Sequence, residues 1–205
     1  MSSLASSDKK TLLEIARRAV VCAVKKSESP AGAASERQTE RLLASAGAFV
    51  TLRTRGRLRG CIGQISPDLP LAEVVAYCAK AAALEDPRFS PMRAEELAEM
   101  EIEISVLSPP EEISPDSIRA GEHGLVASQG QRRGVLLPHV ATELHWPALR
   151  FLEETCVKAG LKRDAWKDPE TKIQAFTAEV FSEKEIEAAG PQGSGRPASD
   201  YSSST

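Results

Sequence analysis

Between Ala48 and Ile65 the hydrophobic period is two, and a tight turn in the middle folds the stretch back on itself, so the chain must place a β-hairpin among its other elements. Val50 and Leu52 alternate with Thr51 and Arg53, Arg55-Gly56 supplies the turn, and LRGCIGQI, Leu58 to Ile65, makes the return. The segment before it has a different period. Leu12, Ile15, Ala16, Ala19, Val20, Ala23 and Val24 recur at helical spacing behind Ser7 or Asp8, which predicts a helix to about Lys26. A loop and a short polar helix to about Leu43 then lead to Gly47.

After the hairpin, Pro70 opens a helix whose face carries Leu71, Val74, Val75, Cys78 and Ala82 and which ends near Leu84. EDPRFSPM is a proline-fixed connection, followed by a short helix over Ala94 to Ala98. Ile102, Ile104 and Val106 alternate with Glu101, Glu103 and Ser105, a strand with one wet face. SPPEEISPDS is read as irregular, and a second hairpin follows, Gly124 to Ser128 and Gly134 to Leu137. Pro138 opens a helix through His145, Pro147 a second one to Ala159 stopped by Gly160, and Gln174 to Phe181 is predicted as one last strand. The Gly, Pro and Ser of 188–205 predict a disordered tail. Hairpins interleaved with helices, without a βαβ rhythm, give an α+β class with mainly antiparallel pairing, in a single domain over 8–187.

Several function classes are disfavoured by composition. A net charge of -3 over 205 residues argues against a general grip on nucleic acid, and 4% aromatic residues leave few platforms for base stacking. No stretch reads as a signal peptide or a membrane span, so the expectation is a cytoplasmic, soluble protein with no membrane association. Cys22, Cys61, Cys78 and Cys156 are scattered without metal or redox spacing, which predicts reduced thiols. No metal site and no cofactor is expected, and no phosphate or dinucleotide motif is present.

Chemistry-bearing residues concentrate in two places. In LRGCIGQI, period two puts Gly60 and Gln64 with Leu58 and Ile62 toward the core, and Arg57, Arg59, Cys61 and Gly63 on the opposite face. An arginine neighbour favours thiolate over thiol, and the flanking glycines are expected to keep Cys61 approachable for a substrate. A packing role for these glycines, with an inert cysteine, is the alternative. His139 and Glu143, four residues apart on one helix, can orient an imidazole or supply two metal ligands, or form only a surface pair. Arg53, Arg55, Arg57 and Arg59 form either a cationic ridge for an anion or a solvated edge.

LRGCIGQI, PLAEVV, DPRFSPM, EIEISVLSPPEEI, HGLVAS, GVLLPHVATELHW and FLEETCVKAGL with Trp166, in this order, resemble the AMMECR family from the first helix to about Phe181. The resemblance implies a larger α+β lobe with both chain ends, a smaller inserted lobe, placed at roughly 66–120, an antiparallel sheet flanked by helices in each, and a cleft between the two. Its signature falls on Leu58, Arg59, Gly60, Cys61, Ile62 and Gly63, and on Leu136, Leu137, Pro138, Val140, Glu143 and Trp146, with His139 standing where the family pattern has glutamine. Prokaryotic members are similar to the component encoded beside, or fused to, a Memo-like protein and a radical S-adenosylmethionine enzyme, the AmmeMemoRadiSam system. No reaction comes with the resemblance.

Cys61 and Glu143 are accordingly the candidate catalytic residues, and Arg59, Gly60, Gly63, His139 and Trp146 the candidate ligand contacts. The leading expectation is an enzyme or enzyme component binding a small molecule or modified residue in the cleft. An adaptor docking a Memo-like or radical enzyme through the LRGCIG hairpin and the DPRFSPM loop comes second. Nucleic-acid association through the arginine ridge comes last.

Overall fold

Two four-stranded antiparallel sheets organise the computed structural model, which describes residues 3–27, 39–65 and 67–188. In chain order the first half comprises α1 (Ser6–Lys25), α2 (Glu40–Leu43), β1 (Ala48–Thr54), β2 (Arg57–Gln64), α3 (Leu71–Leu84) and β3 (Met100–Leu107). The second half comprises β4 (Glu111–Glu112), β5 (Gly124–Gln129), β6 (Arg132–Leu136), α4 (Pro138–Glu143), α5 (Ala148–Lys158), β7 (Lys172–Phe176), β8 (Ala178–Ser182) and α6 (Glu183–Ala188). None of the described helices is long and apolar enough to cross a membrane.

The first sheet has the order β2-β1-β3-β8. Its alternation is clean: Ala48, Val50 and Leu52 of β1 and Met100, Ile102, Ile104 and Val106 of β3 are buried against the helices, while the residues between them face the other way. α1 turns Leu12, Ile15, Ala16 and Val20 inward, a stripe at helical spacing. α3 is buried almost all round because it packs on α1 as well as on β1 and β2, and its alanines allow that double contact. At the hairpin turn Arg55 and Gly56 both have positive φ, 52° and 73°, the conformation a two-residue loop requires.

The second sheet has the order β4-β7-β5-β6, and α5 covers one of its faces with Phe151, Leu152 and Cys156 against Leu125, Ala127 and Ile173. Its other face meets the outer face of the first sheet. There Leu107, Val126 and Phe176 are buried together with Phe49, Ile65, Val135 and Leu137 packed around them. The chain leaves the first sheet after Leu107 and returns at Ala178. The two crossings are tied to each other, Ser108 N–H donating to Thr177 O at 2.9 Å and Thr177 N–H to Ser108 Oγ at 3.0 Å.

Several expectations need correction. The inserted lobe is not 66–120: α3 and β3 belong to the first core, and the second sheet is built from strands within 111–176. The single strand expected over 174–181 is two strands, β7 and β8, divided at Thr177 because the chain changes sheets there. SPPEEISPDS is not wholly irregular, since β4 pairs Glu111 with Ala175 and Glu112 with Gln174. α6 begins before the expected tail, and residues 189–205 of that tail lie outside the described residues.

Candidate functional site

β2 is an edge strand, so the LRGC stretch has only one strand beside it. Leu52 of β1 pairs with Gly60 but Arg53 with Leu58, so Arg59 is the extra, unpaired residue of a bulge in β2. Leu58 is consequently 38% exposed and does not join the core with Ile62. Beyond the bulge the predicted alternation returns: Ile62 lies opposite Val50, and Cys61 lies opposite Thr51 on the face away from the helices.

The two glycines serve packing. A Cβ on Gly60 would lie 2.0 Å from the carbonyl oxygen of Ala82, so the bare position lets α3 run directly over β2. A Cβ on Gly63 would strike the Phe49 ring at 2.2 Å, so this glycine is roofed by an aromatic ring rather than left open for a substrate. The expectation that the glycines exist to expose Cys61 is replaced by these two contacts.

Arg59 is paired with Glu96. Its Nε donates to Glu96 Oε1 at 2.6 Å and one terminal nitrogen to Glu96 Oε2 at 3.1 Å, and its guanidinium stands 6.0 Å from the Phe89 ring centre. The side chain is only 13% exposed, and its remaining nitrogen Nη1 is buried without a hydrogen-bond partner among the described residues. The fork expected to hold an anion is therefore taken by Glu96, which Arg59 keeps below the ordinary carboxylate range. Arg55 is likewise bidentate to Glu99. Two of the four arginines of the supposed ridge are neutralised by the 3-10 turn at Ala94–Glu99.

Cys61 has other partners. Its backbone N–H donates to Asp86 Oδ2 at 2.8 Å, and its carbonyl accepts from Arg88 Nη2 at 3.3 Å. Asp86, 4% exposed, also accepts from Arg88 Nε and Nη2, and that pairing holds its carboxyl far below the usual range. The pair thus occupies the open hydrogen-bonding side of the edge strand, as a neighbouring strand would. The thiol is half-buried and accepts from the Thr51 hydroxyl at 3.3 Å. Asp86, Arg88, Thr51 and Glu96 were all missed from sequence. The signal for the first two was DPRFSPM, read as a connection and as part of a docking surface but not as a partner of the Cys61 backbone.

Glu143 and His139 lie elsewhere. Pro138 starts α4, and the four-residue spacing carries both side chains to a groove of about 550 Å³ between the lobes. Thr142 joins them from α4, while Ser105 of β3 and Ala178 and Val180 of β8 form the opposite wall. Cys61, Arg59, Gly60 and Gly63 do not line this groove. Ser105 and Cys61 nevertheless lie on the same outer face, with β1 between their strands, so about 10 Å of sheet width separates them. Trp146 is packed against the second core under Arg150, 5.9 Å from its ring centre, and does not line the groove either. Among the described residues, no three His, Cys, Asp or Glu side chains are grouped to hold a metal ion.

The AMMECR1 family model matches residues 13–181, from α1 to β8. The chain belongs to the AMMECR1 family. A protein of Aquifex aeolicus is 46% identical over 147 residues, covering 68% of this chain and 75% of its own length. Protein MK0488 of Methanopyrus kandleri is 41% identical over 186 residues, 86% of this chain and 88% of that one. Among solved structures, the crystal structure of uncharacterized protein PH0010 from Pyrococcus horikoshii superposes with a TM-score of 0.76 at 39% identity, covering 84% of this chain and 90% of that one. The two-sheet α+β fold is thus shared with that protein, and both the hairpin and the groove lie inside the region that the family model matches.

Proposed function

We propose that this AMMECR1-family chain binds a small molecule, or a modified side chain of another protein, in the groove between the lobes, as an enzyme or as part of one. The observation that carries this reading is convergence: His139, Thr142 and Glu143 on α4 face Ser105 across a groove whose volume suits a small ligand. In this reading Glu143 accepts a proton or hydrogen bond from the ligand and His139 orients it. Cys61, farther along the same sheet face, contacts only an extended ligand. Arg59 holds the hairpin in shape through Glu96 and takes no part in binding.

The test is a thermal-shift panel of small polar metabolites on the wild type and on Thr142→Trp, which fills the groove, followed by Glu143→Gln for each hit. A compound that raises Tm in the wild type but in neither variant supports the reading. Hits that are indifferent to both substitutions would sink it.

A second reading is favoured by Leu58, an exposed aliphatic side chain on a hairpin whose edge is closed by Asp86 and Arg88. The hairpin then docks a partner protein, for which the family resemblance suggests a Memo-like protein or a radical S-adenosylmethionine enzyme. Binding of either purified partner that is lost in Leu58→Asp and kept in Cys61→Ser would select this reading over the first.

A further inference from the structure

On the side of the first lobe remote from the second sheet, α1 and α3 leave a groove between them of about 580 Å³. Small side chains make its floor: Ala19 and Cys22 come from α1 and Ala76 from α3. Tyr77 stands at its margin, an aromatic side chain left 50% exposed. Arg18, Lys26 and Lys80 ring it, and among the described residues no carboxylate lines it. This is uncommon on a chain with a net charge of -3. Arg17, one position from Arg18, is spent on Glu183 and on the carbonyl of Met100, whereas Arg18, Lys26 and Lys80 enter no ion pair among the described residues.

We infer that this groove is a docking site for an acidic amphipathic helix of a partner protein. Three features select that occupant. The groove follows the helix axes from Ile15 to Lys26, roughly 16 Å at 1.5 Å per residue, long enough for the i, i+3, i+7 anchors of a helix of about three turns. Its alanine floor lets a third helix approach closely, its apolar ridge resting on Ala19 and Ala76. The three cations, which enter no ion pair among the described residues, complement Glu or Asp on the flanks of that helix, and supply both orientation and a faster encounter. The surface lies on the opposite side of the first sheet from Cys61 and the inter-lobe groove, so it serves a partner without competing with a ligand there.

The probe is a synthetic helical peptide of about 15 residues with leucines at i, i+3, i+7 and i+11 and glutamates along both flanks, followed by fluorescence anisotropy. Its control carries lysine at every glutamate. The inference requires the acidic peptide to bind at least about tenfold more tightly than the basic one. Binding is expected to weaken by a similar factor in Arg18→Glu/Lys80→Glu and on raising the salt, and Cys22 to be protected from alkylation when peptide is bound. Lys80 is exposed and Arg18 half-buried at the groove, and an unchanged circular dichroism melt will separate lost binding from lost fold. Equal binding of the two peptides overturns the inference, as does no effect of the double charge reversal. Two further outcomes also overturn it, each by naming another occupant. One is a dimer in sedimentation that Tyr77→Ser dissociates. The other is binding of the protein to phosphatidylserine vesicles, lost in the double variant, with no binding of the acidic peptide.

Discussion

In the first hairpin the returning strand carries Gly60 where the backbone of α3 passes, and in the second it carries Gly134 where the backbone of α5 ends; a Cβ added at these positions would fall 2.0 Å from Ala82 O and 2.1 Å from Ala159 N. Each lobe also roofs a strand glycine with a phenylalanine ring, Phe49 over Gly63 and Phe176 over Gly124, and both rings belong to the cluster between the sheets. The lobes differ at the open edge of the returning strand. β2 is closed by Asp86 and Arg88 and braced by the Arg59–Glu96 pair, whereas on β6 Arg132 makes an exposed bond to the Gly160 carbonyl. The shared glycines therefore report packing. The charged closure is what distinguishes the LRGCIG hairpin, and it fixes the backbone on either side of Cys61.

Substitutions can break the parallel at its strongest point. Gly60→Ala and Gly134→Ala each force a side chain into helix backbone, which cannot rotate aside, and each is expected to cost at least about 3 kcal/mol in urea unfolding. Gly63→Ala and Gly124→Ala meet a ring that can shift, and should cost about half as much. Equal losses at all four positions would show that the helix contacts are not the tighter ones.

The charged closure comes next. Arg59→Ala leaves Glu96 without its partner in a largely buried pair and is expected to lose about 2–3 kcal/mol. Arg55→Ala, in a fully exposed pair of the same geometry, should leave the midpoint unchanged. Asp86→Asn should cost about 2 kcal/mol at neutral pH, since Asp86 is buried while its partner Arg88 is half exposed. Its folded pKa is depressed, so its contribution is present above the unfolded value of about 4 and is lost as pH falls below that value toward the folded one. Wild-type and Asp86→Asn stabilities should thus converge in acid. A gap that persists there would assign the effect to shape rather than charge.

The smallest expected effect is chemical. Burial pushes the Cys78 thiol up to about 11 and raises Cys156 as well, so at neutral pH alkylation followed by mass spectrometry should mark the half-buried Cys22 and Cys61 and spare the other two until the chain unfolds. Labelling of Cys78 in the native protein would mean that α3 opens away from β1.

The first hairpin, the start of α3 behind Pro70 and the stop of α5 at Gly160 were legible because period and turn chemistry are local. The bulge at Arg59 was not, since which residue is left unpaired depends on how β1 and β2 pair and not on the pattern of β2 alone. Thr177 divides two strands without a glycine or proline to mark it, and membership of β3 in the first lobe follows from strand order and that of α3 from packing on β1 and β2, both non-local properties. For the site, the bareness of Gly60 and Gly63 was visible in the sequence but what approaches them was not. His139 and Glu143 could be placed on one helical face by spacing alone. Asp86 could not be assigned to Cys61, because the bond closes over a separation of 25 residues.

The hydrogen bonds between Ser108 and Thr177 have a bearing on the order in which the molecule assembles. β8 can complete the first sheet only after the whole stretch between Leu107 and Ala178 has been brought back on itself, and the entropy of closing so long a loop falls on that step. A second lobe that folds on its own delivers both of its ends to one spot and removes most of that cost. The inserted lobe would then act as the clasp of the larger one, and its early formation would set the rate at which β8 docks.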